Sequence, residues 1–389
     1  MHPTKGTVQT RSQPHKHADF FVLSSKDHYS LFLVSARWTI ENKEKWDCRL
    51  AVPFLIRTFV AIMSFTTTIL QWFREYGRAL PWRETKDAYA IWLSEIILQQ
   101  TRIEQGRPYW ERFMKRWPRV EQLAKASEDE VLREWQGLGY YSRARNLHKA
   151  ARQVVEMGGF PQTLEGIKSL KGVGDYTAAA RGSIAFGLPA AVVDGNVYRV
   201  LARHYGIDTP INTTEGKREF AALAQELLPK DEASAYNQGM MDFGAIQCTP
   251  QSPRCMICPL QETCVALHEG RVGELPVKQK TLKVKELRLT YIYIRYNGMT
   301  AIHRRGKGDI WQGLYEPWLT DEVPFGAILL CQNVKHVLTH RVIYADFWLW
   351  EPDEQPALPE DYSWIREEEW DNYGVPRLIE KLLEKLPNK

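Results

Sequence analysis

The segment 170–201, LKGVGDYTAAARGSIAFGLPAAVVDGNVYRVL, constrains the fold of this chain more than any other. Gly172 and Gly174 flank a single residue, Val173, and a run of small residues that favours a helix begins at about Asp175. The segment therefore predicts a helix, a tight glycine turn and a second helix. The backbone N–H groups of such a turn, with the positive N-terminus of the next helix, can bind one phosphate. Many glycine turns between helices bind nothing, so this pattern alone does not establish a phosphate site.

A further helix start follows at Asp194-Gly195-Asn196-Val197. Its distance from the glycine turn lets the Asp194 carboxylate lie beside the predicted phosphate site. Asp194 is therefore the first candidate catalytic residue. An ordinary helix N-cap requires the same residue type, and this alternative stays open.

The length of 389 residues predicts two domains with extensions rather than one core. A net charge of +4 permits a polyanionic partner without requiring one. No apolar run is long enough to cross a bilayer, so we expect no membrane partner. The 14 Trp and 17 Tyr residues suit either stacking on nucleic-acid bases or core packing.

The first 62 residues begin with a polar, basic stretch and show no apolar signal-peptide core followed by a small-residue cleavage site. From Met63 onward the pattern changes, because apolar side chains between Ile69 and Tyr76 recur at helical spacing. We hypothesise that Met63 is the native start and that residues 1–62 are an extension of unassigned role.

Glu95 lies within a helix, predicted from about Tyr89, that is apolar on nearly every side. Burial raises the pKa of a carboxyl group, and a raised pKa suits a general acid. A structural ion pair with an arginine would also explain a buried glutamate. Three polar residues follow one turn later, where they suit either entry into a base stack or an ordinary polar helix end: Gln99, Gln100 and Thr101.

The segment GLGYYSRARNLHKAA places Tyr140 beside Arg143 and further basic residues. Aromatic and basic side chains together are typical of surfaces that follow a nucleic-acid backbone, although a solvated helix face has a similar composition. Helices are then predicted over 220–228 and 233–246.

Four of the six cysteines follow in one loop with the spacing C-x6-C-x2-C-x5-C: Cys248, Cys255, Cys258 and Cys264. Such clustering predicts a metal site in a reducing compartment, such as the cytoplasm, rather than a disulfide framework. A [4Fe-4S] cluster suits four thiolates in a compact loop, and zinc is the alternative.

Beyond residue 267 the composition changes. Residues 268–285 are predicted to be an exposed basic linker. A strand, a type I′ turn at Asn297-Gly298 and a second strand follow, with another strand over 341–350 and a closing helix over 375–386. These elements predict a second domain of the α+β class.

Seven motifs together resemble the adenine DNA glycosylases of the MutY family, within the helix-hairpin-helix glycosylase superfamily. They are LPWR, WLSEIILQQT, GLGYYSRARNLHKAA, LKGVGDYT, VVDGNVYRVLAR, NQGMMDFGA and the four-cysteine loop. The resemblance begins at about Ser64. It implies a mainly α helix-hairpin-helix catalytic domain over 63–267 with an iron–sulfur loop at 248–264, and a Nudix-like α+β lesion-recognition domain over 286–389.

The resemblance also implies an activity: hydrolysis of the glycosidic bond of adenine opposite 8-oxoguanine or guanine in double-stranded DNA, by a monomer. Glu95 would protonate adenine N7 and Asp194 would stabilise the sugar cation. Tyr176 would lie in the active site, with Asn196 near Asp194. Since related glycosylase-lyases carry a lysine at the position of Tyr176, we expect hydrolysis without strand cleavage.

Gln100 and Tyr140 would wedge into the duplex around the lesion. The family's Phe-Ser-His lesion-reading loop appears here as Leu338-Thr339-His340, which keeps the hydroxyl and the imidazole but lacks the stacking ring. The full set of expected DNA contacts is Gln99, Gln100, Thr101, Tyr140, Arg143, Gly172, Val173, Gly174, Leu338, Thr339 and His340.

Two alternative functions remain at this stage. A pyrimidine-specific glycosylase could use the same scaffold. A non-catalytic iron–sulfur protein that binds DNA is a second alternative, although two carboxylates in such settings favour an enzyme.

Overall fold

The computed structural model describes residues 65–279 and 284–387. The hypothesis about Met63 and residues 1–62 lies outside this range. The helical part contains α1 (65–76), followed by eleven further helices. These are α2 (Ala88–Ile97), α3 (Ile103–Arg116), α4 (Val120–Lys125), α5 (Glu128–Glu134), α6 (Ser142–Glu156), α7 (Leu164–Ser169), α8 (Asp175–Phe186), α9 (Gly195–Tyr205), α10 (Thr214–Leu227), α11 (Ala233–Asp242) and α12 (Val265–His268). None of the helices within the described residues is long and apolar enough to cross a membrane.

Local sequence signals set the ends of these helices. Asp87 caps α2 by accepting the backbone N–H of Tyr89, and Thr163 caps α7 in the same way. Helices α8 and α9 end at Gly187 and Gly206, which adopt left-handed φ values of 66° and 70°. The predicted helix start at Asp175 and the start after Asp194 are both confirmed.

The helices form two apolar cores. Helices α2 to α6 enclose one, with Trp92, Phe113 and Trp135 fully buried. Helices α1, α9, α10 and α11 enclose the other, with Phe65 and Phe220 at its centre. The predicted helix over 233–246 is α11 followed by a π-helical turn, Phe243–Gln247, that leads into the cysteine loop. Such turns are rare and are found frequently at functional sites.

The C-terminal part consists of two sheets and a closing helix, α13 (Arg377–Leu383), which is shorter than predicted. The four-stranded sheet has the order β4-β1-β6-β5, and the three-stranded sheet has the order β3-β2-β7. The strands are β1 (Lys285–Ile294), β2 (Met299–Arg304), β3 (Tyr315–Glu316), β4 (Trp318–Leu319), β5 (Ile328–Leu338), β6 (Arg341–Trp350) and β7 (Tyr362–Arg366).

The turn at Asn297-Gly298 forms as predicted, with positive φ at both residues. Its two strands do not form a hairpin ladder, however, because they separate after one bridge between Tyr296 and Met299. Strand β1 instead runs parallel to β6, and β2 pairs with β3 and β7. The turn therefore passes the chain from one sheet to the other.

The predicted linker is not wholly exposed. Leu275 is buried, and its carbonyl accepts a hydrogen bond from Arg203. The carbonyl of Val277 accepts the backbone N–H of Ile211 at 3.0 Å. The first part of this segment therefore packs on the helical domain.

The helical and sheet domains share a packed interface. Leu314, between β2 and β3, is fully buried in the helical core that contains Leu132. Arg304 forms an ion pair of 2.7 Å with Asp129 of α5, and the side chain of Gln136 accepts the backbone N–H of Val375 at 3.2 Å. Apolar burial and polar contacts thus fix the sheet domain against α5.

Candidate active site

A cavity of about 1160 Å³ lies between the two helical cores. It is lined by residues of α2, the glycine turn, α8, the start of α9 and α11. This volume exceeds the ~300–1,000 Å³ usual for small-molecule pockets, as expected for an open groove that admits part of a polymer. Glu95, Tyr176, Asp194 and Asn196 all line it, so the fold brings the predicted catalytic residues together.

Glu95 occupies the third turn of α2 and is 9% exposed. Burial raises the pKa of this carboxyl group to about 7, with a smaller contribution in the same direction from the charge of Asp194. The Tyr176 hydrogen bond and the charge of Arg83 oppose the shift. A carboxyl group with this pKa can hold and release a proton near neutral pH.

Tyr176, in the first turn of α8, donates its hydroxyl to Glu95 Oε2 at 3.3 Å. Burial raises the pKa of Tyr176 well above its ordinary value, and the charges of Glu95 and Asp194 act in the same direction. Tyr176 therefore remains a neutral hydrogen-bond donor that fixes the orientation of the Glu95 carboxyl.

Asp194 is the N-cap of α9 as well as a cavity residue. Its Oδ1 accepts the backbone N–H groups of Asn196 and Val197, each at 2.8 Å, and its Oδ2 accepts the Asn196 amide at 2.8 Å. Burial raises the pKa of Asp194, whereas these donors and the charge of Arg199 favour the carboxylate. Three fixed donors also prevent the side chain from rotating away from the cavity.

Arg199 connects this carboxylate to the start of the cysteine loop. Its Nη2 donates to Asn196 Oδ1 at 2.8 Å, and its Nε donates to the carbonyl of Cys248 at 2.7 Å. Arg199 also donates to the carbonyl of Gly244 at 2.6 Å. A Cβ at Gly244 would lie 2.6 Å from the Cβ of Asn196, so only glycine permits this approach.

The glycine turn has the predicted form. Gly172 has φ of 77°, and a Cβ there would lie 2.6 Å from the Cβ of Asn146. Gly174 is the N-cap of α8, with open space around its Cα. Lys168 forms an ion pair of 2.7 Å with Asp175, which offsets a negative charge at the predicted phosphate site.

Gln99, Gln100 and Arg143, which are all expected to contact DNA, make different contacts in the structure. Gln99 donates to Thr177 at 2.8 Å, whereas Gln100 is exposed with φ of 56°. Arg143 is buried and donates to the carbonyls of Ile96 and Ile97 at the end of α2. It therefore stabilises the end of α2 while lining the cavity, and its expected contact with DNA stays a prediction.

Tyr140 joins the two domains at the edge of the cavity. Its side chain is half-exposed, and its hydroxyl lies 2.6 Å from Thr339 Oγ1 in the turn between β5 and β6. His340 is exposed in the same turn, and Leu338 is half-buried at the end of β5. Both Tyr140 and Gln100 have positive φ, which is rare for residues other than glycine and is typical of functional sites.

The four cysteines of the loop form no disulfide and are partly buried. Burial raises the pKa of Cys258 to about 11; the backbone N–H of Leu260 opposes this, and the other three cysteines reinforce it. Arg203 donates to Cys248 Sγ at 3.4 Å. Such donors stabilise thiolates, so this set of sulfur ligands fits an iron–sulfur cluster. Over the described ranges, no three His, Cys, Asp or Glu side chains are placed to hold a single metal ion.

The sequence analysis missed several residues of the site. Gln238 and Met241 of α11 line the cavity, and Asp242 anchors two arginines at its edge. An acidic residue within the apolar segment GMMDFGA is the same signal that identified Glu95. Arg199 carried no comparable signal, because its contacts with Gly244 and Cys248 join positions 45 and 49 residues apart.

Three family models match the chain. Residues 93–230 match a model described as HhH-GPD superfamily base excision DNA repair protein. Residues 248–264, which include all four cysteines of the loop, match the iron–sulfur binding domain of endonuclease III. Residues 290–385 match the NUDIX domain. The cofactor is therefore a [4Fe-4S] cluster, and the second domain is Nudix-like.

The chain is similar to several characterised proteins. It is 34% identical to the adenine DNA glycosylase of Buchnera aphidicola subsp. Schizaphis graminum, over 66% of this chain and 75% of that protein. It is 30% identical to the adenine DNA glycosylase of Buchnera aphidicola subsp. Acyrthosiphon pisum, over 82% of this chain and 97% of that protein. The solved structure of a thermostable thymine-DNA glycosylase is 32% identical, with a TM-score of 0.51, and covers 55% of this chain and 99% of that one. The chain is therefore a DNA glycosylase and belongs to the adenine DNA glycosylase family of the HhH-GPD superfamily.

Proposed function

We propose that this enzyme removes adenine mispaired with 8-oxoguanine or guanine in duplex DNA, by hydrolysis of the N-glycosidic bond. The single observation that carries the proposal is that Glu95 and Asp194 line one cavity in contrasting environments. The family membership supports adenine as the base. Since the glycosidic bond is unreachable within the base stack, the adenine nucleotide must rotate out of the duplex into this cavity.

In this mechanism Glu95 donates its proton to N7 of adenine. Its pKa of about 7 allows the protonated form to persist near neutral pH, and Tyr176 holds the carboxyl in place. Protonation makes adenine a better leaving group, so the glycosidic bond breaks and its electron pair moves to the base.

The sugar then carries positive charge, which the Asp194 carboxylate stabilises. Its two backbone N–H donors and the Asn196 amide favour the negative form of this group. Water adds to the sugar, and the proton that it loses returns to the Glu95 carboxylate. The products are free adenine and an abasic site. Two carboxyl groups divide the acid and electrostatic roles, as in glycosidases.

We propose that the reaction ends there, without strand cleavage. A Schiff-base lyase needs an amine at the sugar, and Tyr176 occupies the corresponding position in α8. Of the described residues that line the cavity, none is a lysine. One chain supplies all the proposed catalytic groups, and we propose that the enzyme acts as a monomer.

DNA would contact the protein on both sides of the cavity. The glycine turn at 172–174 would bind a phosphate of the adenine strand, and Gln100 and Tyr140 would enter the base stack. Thr339 and His340 would read the base opposite adenine. The four loop cysteines would hold the [4Fe-4S] cluster, which, when bound, crosslinks the loop that follows α11.

The test is single-turnover base release from duplexes that carry 8-oxoguanine·A, G·A, G·T or G·C, with and without alkali. We expect adenine release from the first two, and strand breaks only after alkali. Asp194→Asn and Glu95→Gln should bind the 8-oxoguanine·A duplex and release no base. Thymine release from G·T would instead indicate the activity named for the thermostable structural relative. Strand breaks without alkali would contradict the hydrolytic mechanism.

A further inference from the structure

Asp242, the last residue of α11, is fully buried between two arginines that line the cavity. Arg83 donates to its two oxygens at 2.8 and 3.0 Å. Arg78 donates its backbone N–H to Oδ2 at 2.9 Å and its Nε to Oδ1 at 3.0 Å. Burial opposes the charged form of Asp242, but the hydrogen bonds from Arg83 and Arg78 outweigh it and lower the pKa of the carboxyl.

The arginines are fixed in one arrangement around this carboxylate. Arg83 Nη1 also donates to the carbonyl of Arg78 at 2.9 Å, and its guanidinium lies 5.4 Å from the ring centre of Phe73. Neither arginine is fully exposed, with side-chain exposures of 30% for Arg78 and 14% for Arg83. Without Asp242, two cations would face each other across the edge of the cavity.

Arg83 and Glu95 line the same cavity, and the charge of Arg83 lowers the pKa of Glu95. The other groups that face Glu95 are Tyr176 from α8 and Asp194 from the start of α9. From α11, the neutral Met241 sulfur accepts the Tyr176 hydroxyl at 3.8 Å. The charge that Arg83 presents to Glu95 therefore depends on how far Asp242 neutralises it.

We propose that Asp242 is a positioning residue, which holds Arg78 and Arg83 at the edge of the base cavity and cancels part of the Arg83 charge that Glu95 experiences. This inference rests on the proposed role of Glu95 as the acid. It predicts that two substitutions change the pKa of Glu95 in opposite directions. Asp242→Asn leaves Arg83 less neutralised, which favours the Glu95 carboxylate. Arg83→Met removes the cation, which favours the protonated acid.

The experiment measures single-turnover adenine release against pH, from pH 5 to 9.5, with the holoenzyme and an 8-oxoguanine·A duplex. In the wild type the rate should fall as pH rises through the pKa of Glu95, about 7. This fall is the alkaline limb of the pH profile. An unlike charge nearby changes a pKa by about 1–3 units. Each pH limb should move by about one unit or less, since the charge of Arg83 has a smaller effect on the pKa of Glu95 than burial, Tyr176 or Asp194. Asp242→Asn should move this limb to lower pH and Arg83→Met should move it to higher pH.

Asp208→Asn is the matched control, because Asp208 is an exposed carboxylate paired with Arg271, and neither residue lines the cavity. Its pH limb should coincide with that of the wild type. Arg78→Met adds a variant at a more exposed position, and it should move the limb in the same direction as Arg83→Met or leave it unchanged.

The outcomes separate the two proposals. If the wild type shows no alkaline limb, the proposed role of Glu95 fails. If the limb is present but Asp242→Asn and Arg83→Met leave it in place, or move it in the same direction, the role of Asp242 is wrong. A variant that only folds poorly would lower the rate at every pH without moving the limb, and this result would also count against the inference.

Discussion

Replacing Glu95 by glutamine should make the folded protein more stable, and more so at pH 8 than at pH 5. In the unfolded chain the carboxyl loses its proton near pH 4.5, whereas burial in the folded chain raises its pKa to about 7. The folded state therefore binds more protons between these values, and the stability of the wild type falls as pH rises through this window. Glutamine has no proton to lose and can still accept the Tyr176 hydroxyl.

The magnitude follows from the pKa difference. At about 1.4 kcal/mol per pKa unit, the ionisation of Glu95 lowers the free energy of unfolding by about 3 kcal/mol at pH 8 and by less than about 1 kcal/mol at pH 5. Urea unfolding followed by tryptophan fluorescence at both pH values measures this difference. The gain in unfolding free energy for Glu95→Gln over the wild type should increase by about 2 kcal/mol between pH 5 and pH 8.

Glu156→Gln provides the control, since Glu156 is exposed at the end of α6. It should change the unfolding free energy by a similar small amount at both pH values. If Glu95→Gln instead destabilises the protein equally at pH 5 and pH 8, Glu95 is a structural carboxylate, and the argument for a buried acid is refuted.

Two further substitutions test the packing around the site. Arg181 is fully buried 3.9 Å from the ring centre of Phe160, and none of its guanidinium nitrogens has a hydrogen-bond partner among the described residues. Arg181→Met should therefore raise the unfolding free energy in the same urea assay by a few kcal/mol at most, within the ~1–4 kcal/mol found when buried charges are replaced by apolar residues. A loss of stability would mean that the contacts of Arg181 with aromatic rings outweigh the cost of burying its charge. Gly244→Ala should slow single-turnover adenine release by about 10- to 100-fold, because its Cβ would displace Asn196. Gly273→Ala, in open space, should leave the rate unchanged, and equal rates for both variants would show that the contact at Gly244 is not needed.

Local patterns predicted most of the helical domain and the position of its site. The glycine turn and the N-cap at Asp194 depend on residues adjacent in the chain, so a single sequence contains the necessary information. Glu95 was identifiable because a charged residue within an apolar helix is costly unless it has a function. These assignments needed no knowledge of distant contacts.

The features that the sequence did not predict all depend on distant partners. Asp242 binds Arg78, which lies 164 positions away, and no periodicity links the two. Arg143 lies in a segment whose composition is typical of DNA-binding surfaces. Its side chain is nevertheless buried against the end of α2, which lies more than 40 positions earlier in the chain. The two strands beside Asn297 satisfy the hairpin pattern, yet their pairing is decided by β6 and β7.

The burial of Leu314 in the helical core affects how this protein can be divided. A domain that folds alone must cover its own apolar surface, and the helical domain does not, since Leu314 of the sheet domain completes its core beside Leu132. A fragment cut before β1 would expose this patch to water and would invite self-association. An exchange of sheet domains between relatives would likewise require matching residues on both sides of this contact. The helical and sheet domains therefore depend on each other at this contact.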